Sequence, residues 1–242
     1  MNLCIDQGNS STKIGLFEGD NLIHDFSYKE FGEDEIKAVF AKYDVETCIV
    51  SSVTSKSDNF TGVLRKLNVP FVELNYTTPV PIDNRYGTPQ TLGKDRLAAI
   101  VGAAFLQPDT DLLVIDAGTA ITYDFIDASF VYRGGNIAPG LDMRLRALHE
   151  FTQKLPLVVA VSDCPLLGTN TNEAIASGAL LGIIFEINGY IEALKINYPK
   201  LLVFLTGGSL FYFDTKLKSA IFAERNLVLI GLNRILQYNV QK

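Results

Sequence analysis

Two short stretches of the chain share an acid, a glycine and small hydroxyl residues in the same order. The first is Asp6-Gln-Gly-Asn-Ser-Ser-Thr-Lys13 and the second is Asp116-Ala-Gly-Thr-Ala. Each follows an apolar run (Met1 to Ile5, then Leu112 to Ile115) and precedes a strand-like run (Ile14 to Phe17, then Ile121 to Phe125). This is chemistry suited to phosphate and metal. A carboxylate at a strand end holds a cation, a glycine lets backbone approach an anion, and hydroxyls and amide N–H groups grip oxygens. Lys13 lies across the turn from Asp6, where an ammonium reaches a phosphate. Taken alone, the first copy fits an Asn-Gly-type hairpin with a solvated lysine equally well. Two copies in matching strand–turn–strand settings point to a duplicated fold with nucleotide phosphates between its halves.

A second constellation is Tyr86-Gly-Thr-Pro-Gln-Thr-Leu-Gly-Lys-Asp-Arg96. Its end, Gly93-Lys-Asp-Arg96, sits where a loop becomes a helix, so backbone N–H groups there suit an anion. The alternative is first-turn capping by Asp95 with an exposed ion pair to Arg96. Gly134-Gly-Asn-Ile-Ala-Pro-Gly140 reads as a loop opening onto a helix, either an anion or cofactor rim or simply a tight turn. Thr206-Gly-Gly-Ser209 follows the strand Leu201 to Leu205 and is expected to open a helix, a setting for backbone approach to a nucleoside or phosphate. No Gly-x-x-x-x-Gly-Lys-Ser/Thr occurs, which excludes a P-loop as the ATP site.

The elements that must position these residues alternate along the chain. Strands are expected at 2–6, 12–17, 21–27, 47–51 and 70–74, with helices near 33–42 and 57–67. The first three strands form a meander, and strands alternating with helices follow. The second half repeats the order: strands near 111–116, 119–126 and 130–137, helices near 140–150 and 172–196, a strand at 201–205 and later helices. The Pro-rich piece 77–90 and the helix after it are expected to bridge the halves. That helix carries Leu97, Ile100, Val101, Ala104 and Phe105 on one face. The long helix places Ala174, Gly178 and Gly182 four residues apart. Glycine inside a helix costs roughly 1 kcal/mol against alanine, so this smooth stripe has a packing reason, inside its own domain or against a partner subunit.

Composition removes several classes. With 242 residues, 48% hydrophobic and 20% charged, the chain can bury a substantial core. A net charge of −6 without a Lys/Arg cluster disfavours nucleic-acid binding. Three scattered cysteines lack Cys-x-x-Cys spacing, and only His24 and His149 are present, so zinc sites and Ser-His-Asp catalysis have little material. Acid–base work falls to carboxylates. No apolar run approaches the ~18 residues of a membrane span, and the N-terminus reads directly as a strand, so a cytoplasmic protein is expected.

With these segments in order, the chain resembles a type III pantothenate kinase of the acetate and sugar kinase/Hsp70/actin superfamily. The matching pieces are Asp6-Gln-Gly-Asn-Ser, Tyr86 with Gly93-Lys-Asp-Arg96, Asp116-Ala-Gly-Thr-Ala-Ile-Thr, Gly134-Gly-Asn-Ile-Ala-Pro-Gly140, Thr169-Asn-Thr-Asn-Glu-Ala-Ile175 and Thr206-Gly-Gly208. Ser10 stands where threonine is more usual and keeps the hydroxyl. The resemblance implies an α/β fold of two tandem ribonuclease H-like (actin-like ATPase) domains, each a mixed five-stranded sheet flanked by helices. The expected halves are 1–90 and 91–242, the latter including the bridging helix. It further implies ATP-dependent phosphorylation of pantothenate, the first step of coenzyme A synthesis.

Site roles are carried over on the same basis. Asp6, Gln7, Gly8, Asn9, Ser10, Ser11, Thr12 and Lys13 bind ATP phosphates, with Asp6 near Mg²⁺, and Thr119 contacts ATP. Tyr86, Gly93, Lys94, Asp95, Arg96 and Thr171 surround pantothenate, and Asp95 accepts the proton of its primary hydroxyl. Asp116 binds a monovalent cation, K⁺ or NH₄⁺, and the protein is a homodimer that engages neither nucleic acid nor membrane. Two alternatives stand beside this reading: a regulatory protein on the same scaffold, since close relatives have been described as transcription accessory factors, or a kinase of another small hydroxylated substrate. Retention of Asp6, Asp95, Arg96 and Asp116 favours an enzyme.

Overall fold

In the computed structural model the chain is described at all positions except 9–10, 53–56, 210–211, 214–216, 218–220 and 241–242; at 57–59 only the backbone is described. The chain divides into two compact units. The first comprises residues 1–108, 130–132 and 226–242, and the second residues 109–129 and 133–225.

The first unit is built on strands β1 (Asn2–Gln7), β2 (Thr12–Glu18), β3 (Asn21–Tyr28), β4 (Thr47–Ser52) and β5 (Phe71–Glu73), in the sheet order β3-β2-β1-β4-β5. β1, β2 and β3 form the expected antiparallel meander, and β4 and β5 continue in parallel. Helices α1 (Glu33–Lys42) and α2 (Ser57–Lys66) bury Ile36, Val39, Phe60, Val63 and Leu64 against Leu3, Ile5, Ile14, Leu16, Cys48 and Val50. Each such side chain contributes about 1.5–3 kcal/mol of burial. α1 starts where it does because Glu35 Oε2 accepts the Gly32 N–H at 2.8 Å, and three acids occupy its first turn.

The other face of this sheet is covered by α6 (Leu227–Val240), whose Leu229 lies against the Gly15 backbone. Coverage on both faces explains why β1 and β4 are continuous apolar runs rather than alternating ones. α3 (Lys94–Leu106) packs on α6 through glycines. A Cβ on Gly231 would stand 2.7 Å from the Ala98 carbonyl carbon and 2.9 Å from the Gly102 nitrogen. The sequence assigned α3 a single apolar face. Instead every residue from Arg96 to Ala104 is buried, because α6 arrives from the far end of the chain to cover what would have been a solvent face. For the same reason α3 falls in the first unit, where the expected cut after residue 90 assigned it to the second half.

The second unit contains β7 (Leu112–Ala117), β8 (Ala120–Ile126), most of β9 (Val131–Pro139), β10 (Leu202–Thr206) and β11 (Ile221–Ala223), in the order β11-β10-β7-β8-β9. β10 is parallel to β7 and β11, and β8 is antiparallel to β7. A two-residue strand, β6 (Asp83–Asn84), pairs with Val131 and Tyr132 at the start of β9 and brings the count of this sheet to six. The expected loop from Gly134 to Gly140 is mostly strand: β9 runs through Pro139, with Gly134 at φ +120.

α4 (Leu141–Glu150) and α5 (Thr171–Lys195) cover this sheet, burying Leu141, Leu145, Ile183 and Ile187 against Leu113, Ile115, Tyr123 and Val203. By length and composition α5 passes for a membrane span, against the expectation that no such run exists, and just over half of that apolar window is buried inside the protein. Its buried residues belong to the core of the second unit, which accounts for its hydropathy.

Candidate active site

In the first unit, β1 delivers Asp6 to the end of the strand, and β2 returns with Lys13 in register opposite it. Residues directly opposed across an antiparallel pair share a face of the sheet, so carboxylate and ammonium stand on the same side. The turn between them is closed by a Gly8 N–H to Ser11 carbonyl hydrogen bond of 3.0 Å. Ser11 is half-buried, whereas Thr12 is buried at 4% exposure and Gln7 Oε1 accepts the Ser52 hydroxyl at 2.7 Å. The Ser52 bond ties the Gln7 side chain to β4. Asn9 and Ser10 lie outside the described residues.

The first turn of α3 forms the second cluster of this unit. Asp95 folds back so that its Oδ1 accepts the Arg96 N–H at 2.9 Å. A Cβ on Gly93, the N-cap, would stand 2.5 Å from that oxygen, so a larger residue there would push the Asp95 carboxylate out of this position. Lys94 and Asp95 are partly exposed, while Arg96 is buried at 6%. A buried guanidinium needs partners. Arg96 Nη2 donates to Tyr132 Oη at 3.2 Å, and its Cζ lies 5.5 Å from the Tyr86 ring centroid. Tyr86 in turn stacks on Tyr132, with centroids 6.0 Å apart and planes 15° from parallel. The backbone bond from Arg96 to Asp95 and the aromatic cradle of Tyr86 and Tyr132 thus go beyond a simple first-turn cap. Tyr132 was missed by sequence reasoning; a tyrosine inside a strand carries no local signal that its partner is 46 positions away.

In the second unit, Asp116 sits near the end of β7, opposite Thr122 of β8 and Thr206 of β10. Gly207, at φ +97, lies directly against Asp116 and Ala117. The Ser209 N–H donates to the Ala117 carbonyl at 2.9 Å. The Gly-Gly pair after β10 therefore approaches the second acid loop; the helix expected after it falls largely on undescribed residues. Thr119, exposed at the loop tip, has its carbonyl held by the Gly140 N–H at 3.1 Å.

Thr171 is the exposed first residue of α5. Ahead of it, Asn170 Oδ1 caps the Glu173 N–H at 3.0 Å, and Glu173 Oε2 accepts the Thr169 N–H and hydroxyl, each at 2.8 Å. These Thr169 bonds, backbone first, draw the Glu173 carboxyl below its ordinary value.

Among the described residues no group of three or more His, Cys, Asp or Glu side chains is gathered as a metal cage. A cation here would take one carboxylate, Asp6 or Asp116, with remaining oxygens from phosphate, carbonyls and water. That donor set suits Mg²⁺ carried by a nucleotide.

A protein-family model described as type III pantothenate kinase matches residues 2–193. A type III pantothenate kinase of Phocaeicola vulgatus is 52% identical over 239 residues, covering 99% of each chain. Among solved structures, one described as a Baf family transcriptional activator from Campylobacter jejuni superposes with a TM-score of 0.63 at 22% identity, covering 99% of this chain and 100% of the other. A ROK family glucokinase from Streptomyces griseus, solved with glucose and AMPPNP, superposes with a TM-score of 0.54 at 13% identity, covering 98% and 99%. The structural likenesses show the actin-like kinase fold and nothing finer.

Proposed function

The chain belongs to the type III pantothenate kinase family and phosphorylates pantothenate, entering coenzyme A synthesis; on that premise we propose that Asp95 is the general base and that the two acid loops hold ATP. Identity of 52% across 99% of the chain carries the first statement. The second rests on the first turn of α3, which offers a partly exposed carboxylate beside a buried arginine.

Phosphoryl transfer asks a protein for positioning and charge neutralisation rather than covalent help. Asp95 takes the proton of the primary hydroxyl of pantothenate through the carboxylate oxygen not engaged with the Arg96 N–H. Arg96, locked between Tyr132 and Tyr86, supplies a fixed positive charge for the carboxylate of pantothenate, and Gly93 and Lys94 complete that rim. Gly8, Asn9, Ser10, Ser11 and Lys13 bind ATP phosphates, Gln7 and Thr12 keep the turn in shape, and Thr119 contacts the nucleotide. Mg²⁺ near Asp6 and K⁺ or NH₄⁺ at Asp116 neutralise phosphate charge when bound.

The active form is a cytoplasmic homodimer in which Thr171 meets pantothenate in the partner's pocket. Supporting this, α5 leaves Ala174 and Gly178 exposed along one stripe, and Phe185 on the same helix is 59% exposed. Leu166 and Leu167, shortly before the helix, are exposed as well. A two-fold axis presents such a stripe to itself. ADP release in a coupled assay tests the function, comparing pantothenate with glucose, acetate and no acceptor. Turnover with pantothenate alone is expected. Equal turnover with glucose or acetate, or none with any of them, overturns the assignment.

A further inference from the structure

Three side chains far apart in sequence converge behind the second acid loop. Arg144 of α4 donates from Nη2 to Glu186 Oε2 of α5, 2.6 Å away, and from Nε to the Pro139 carbonyl at 2.8 Å. Glu186 Oε1 accepts the hydroxyl of Tyr123 of β8 at 2.8 Å, and the Tyr123 ring stacks on Tyr190 with centroids 4.3 Å apart. Arg144 and Glu186 are only 21% and 27% exposed, so their charges are poorly screened.

Both arms of this network return to the same loop. Pro139 precedes Gly140, whose N–H holds the Thr119 carbonyl at 3.1 Å. Tyr123 pairs with Ile115, the residue before Asp116. Arg144 also lies over Gly182: a Cβ there would stand 3.7 Å from its Nη1, in ordinary van der Waals contact. An ion pair that merely tied two helices together would not need to spend a guanidinium nitrogen on a strand-end carbonyl. Burial first, then the hydrogen bond to Glu186, pushes the Tyr123 phenol well up.

We propose that Arg144 and Glu186 are positioning residues for phosphoryl transfer, fixing the Pro139–Gly140 backbone from which the Thr119 carbonyl hangs and thereby holding the Asp116–Thr119 loop in the shape that receives ATP. This rests on the reading that the loop meets ATP. Neither side chain touches substrate. Their loss therefore appears in ATP recognition and in the chemical step, not in pantothenate binding.

Steady-state kinetics with each substrate varied separately tests this on Arg144→Met, Arg144→Lys, Glu186→Gln and the double variant Arg144→Met/Glu186→Gln, with Thr119→Val as reference. Arg144→Met and Glu186→Gln are expected to raise KM for ATP by roughly tenfold, leaving KM for pantothenate within about twofold. The double variant should be no worse than the worse single, since the two act as one unit. Arg144→Lys, which keeps the charge and one of the two bonds, should recover part of the loss. Glu186→Gln and Arg144→Lys keep size and most hydrogen bonding, so they decide the matter if Arg144→Met does not fold. An ATP KM unchanged in these variants but raised in Thr119→Val overturns the positioning role and leaves the loop reading intact. No change in any of them overturns both. Equal rises in both KM values with a lowered melting temperature overturn the role in favour of a purely structural one.

Discussion

Gly207 lies so close to Asp116 that no side chain fits between them. A Cβ on Gly207 would collide with Asp116 Oδ1 and stand 2.6 Å from the Ala117 carbonyl group, and its φ of +97 disfavours any other residue. K⁺ or NH₄⁺ is expected to activate the enzyme, and Asp116→Ala to abolish that activation. Gly207→Ala carries about 1–3 kcal/mol of backbone strain and should raise the K⁺ concentration needed for half-activation. Gly208→Ala, whose Cβ would meet nothing within 4 Å, should be far milder in stability. Rate against K⁺ in a Tris–Mg²⁺ buffer checks all three; a flat wild-type response removes the cation role of Asp116.

Asp95→Asn should cost ~10²–10⁴-fold in kcat, as loss of a general base does. The fold should survive, because an asparagine oxygen can still accept the Arg96 N–H that Asp95 Oδ1 accepts now. Turnover within threefold of wild type, with an unchanged circular dichroism spectrum, would reject the assignment.

Gly231→Ala drives a methyl group into the α3 backbone at Ala98 and Gly102. Overpacking of this kind costs about 1–3 kcal/mol. Urea unfolding should show a lower midpoint, and the variant should also lose activity because α3 carries Asp95 and Arg96. A midpoint equal to wild type would mean that the two helices separate freely.

Mixing Asp95→Asn with Thr171→Tyr tests the shared pocket. Each variant alone is expected to be inactive, and subunit exchange should restore some activity, since one pocket of a mixed dimer is then intact. Absence of recovery in subunits shown to exchange, or a monomer by light scattering, refutes the cross-subunit site.

Glu173 gives a pH dependence with a defined sign. Its carboxyl is drawn below the ordinary 4.5 by Thr169, so the folded state binds its proton less readily than the unfolded state. The contribution to stability is complete above pH 4.5 and fades as pH falls through the lowered folded-state value. Glu173→Gln should therefore melt earlier than wild type at pH 7, and the gap should close in acid. A gap constant from pH 7 to pH 3 would place the stabilisation elsewhere.

Local pattern determined much of this protein. Apolar runs bounded by turn residues located β1 through β4, α1, α4 and α5 nearly to the residue, because periodicity and chain reversal are set by neighbours in sequence. The pairing of Asp6 with Lys13 was legible for the same reason, since a short turn fixes the register. Recognition of the family needed only the order and spacing of a few motifs.

Tertiary structure alone decided the rest. Arg96 reads locally as a first-turn arginine with an exposed ion pair, whereas in the folded chain it is buried, with Tyr132 beside Tyr86 among its neighbours. The double glycine after β10 reads locally as a loop for a nucleoside or phosphate, and only the parallel pairing of β10 with β7 shows that Gly207 lies against Asp116. α3 reads as amphipathic until α6, more than a hundred residues later, buries its remaining face. In each case the deciding partner lies far along the chain, and a local window records which side chains are available but not which of them the closing of the chain will bring into contact.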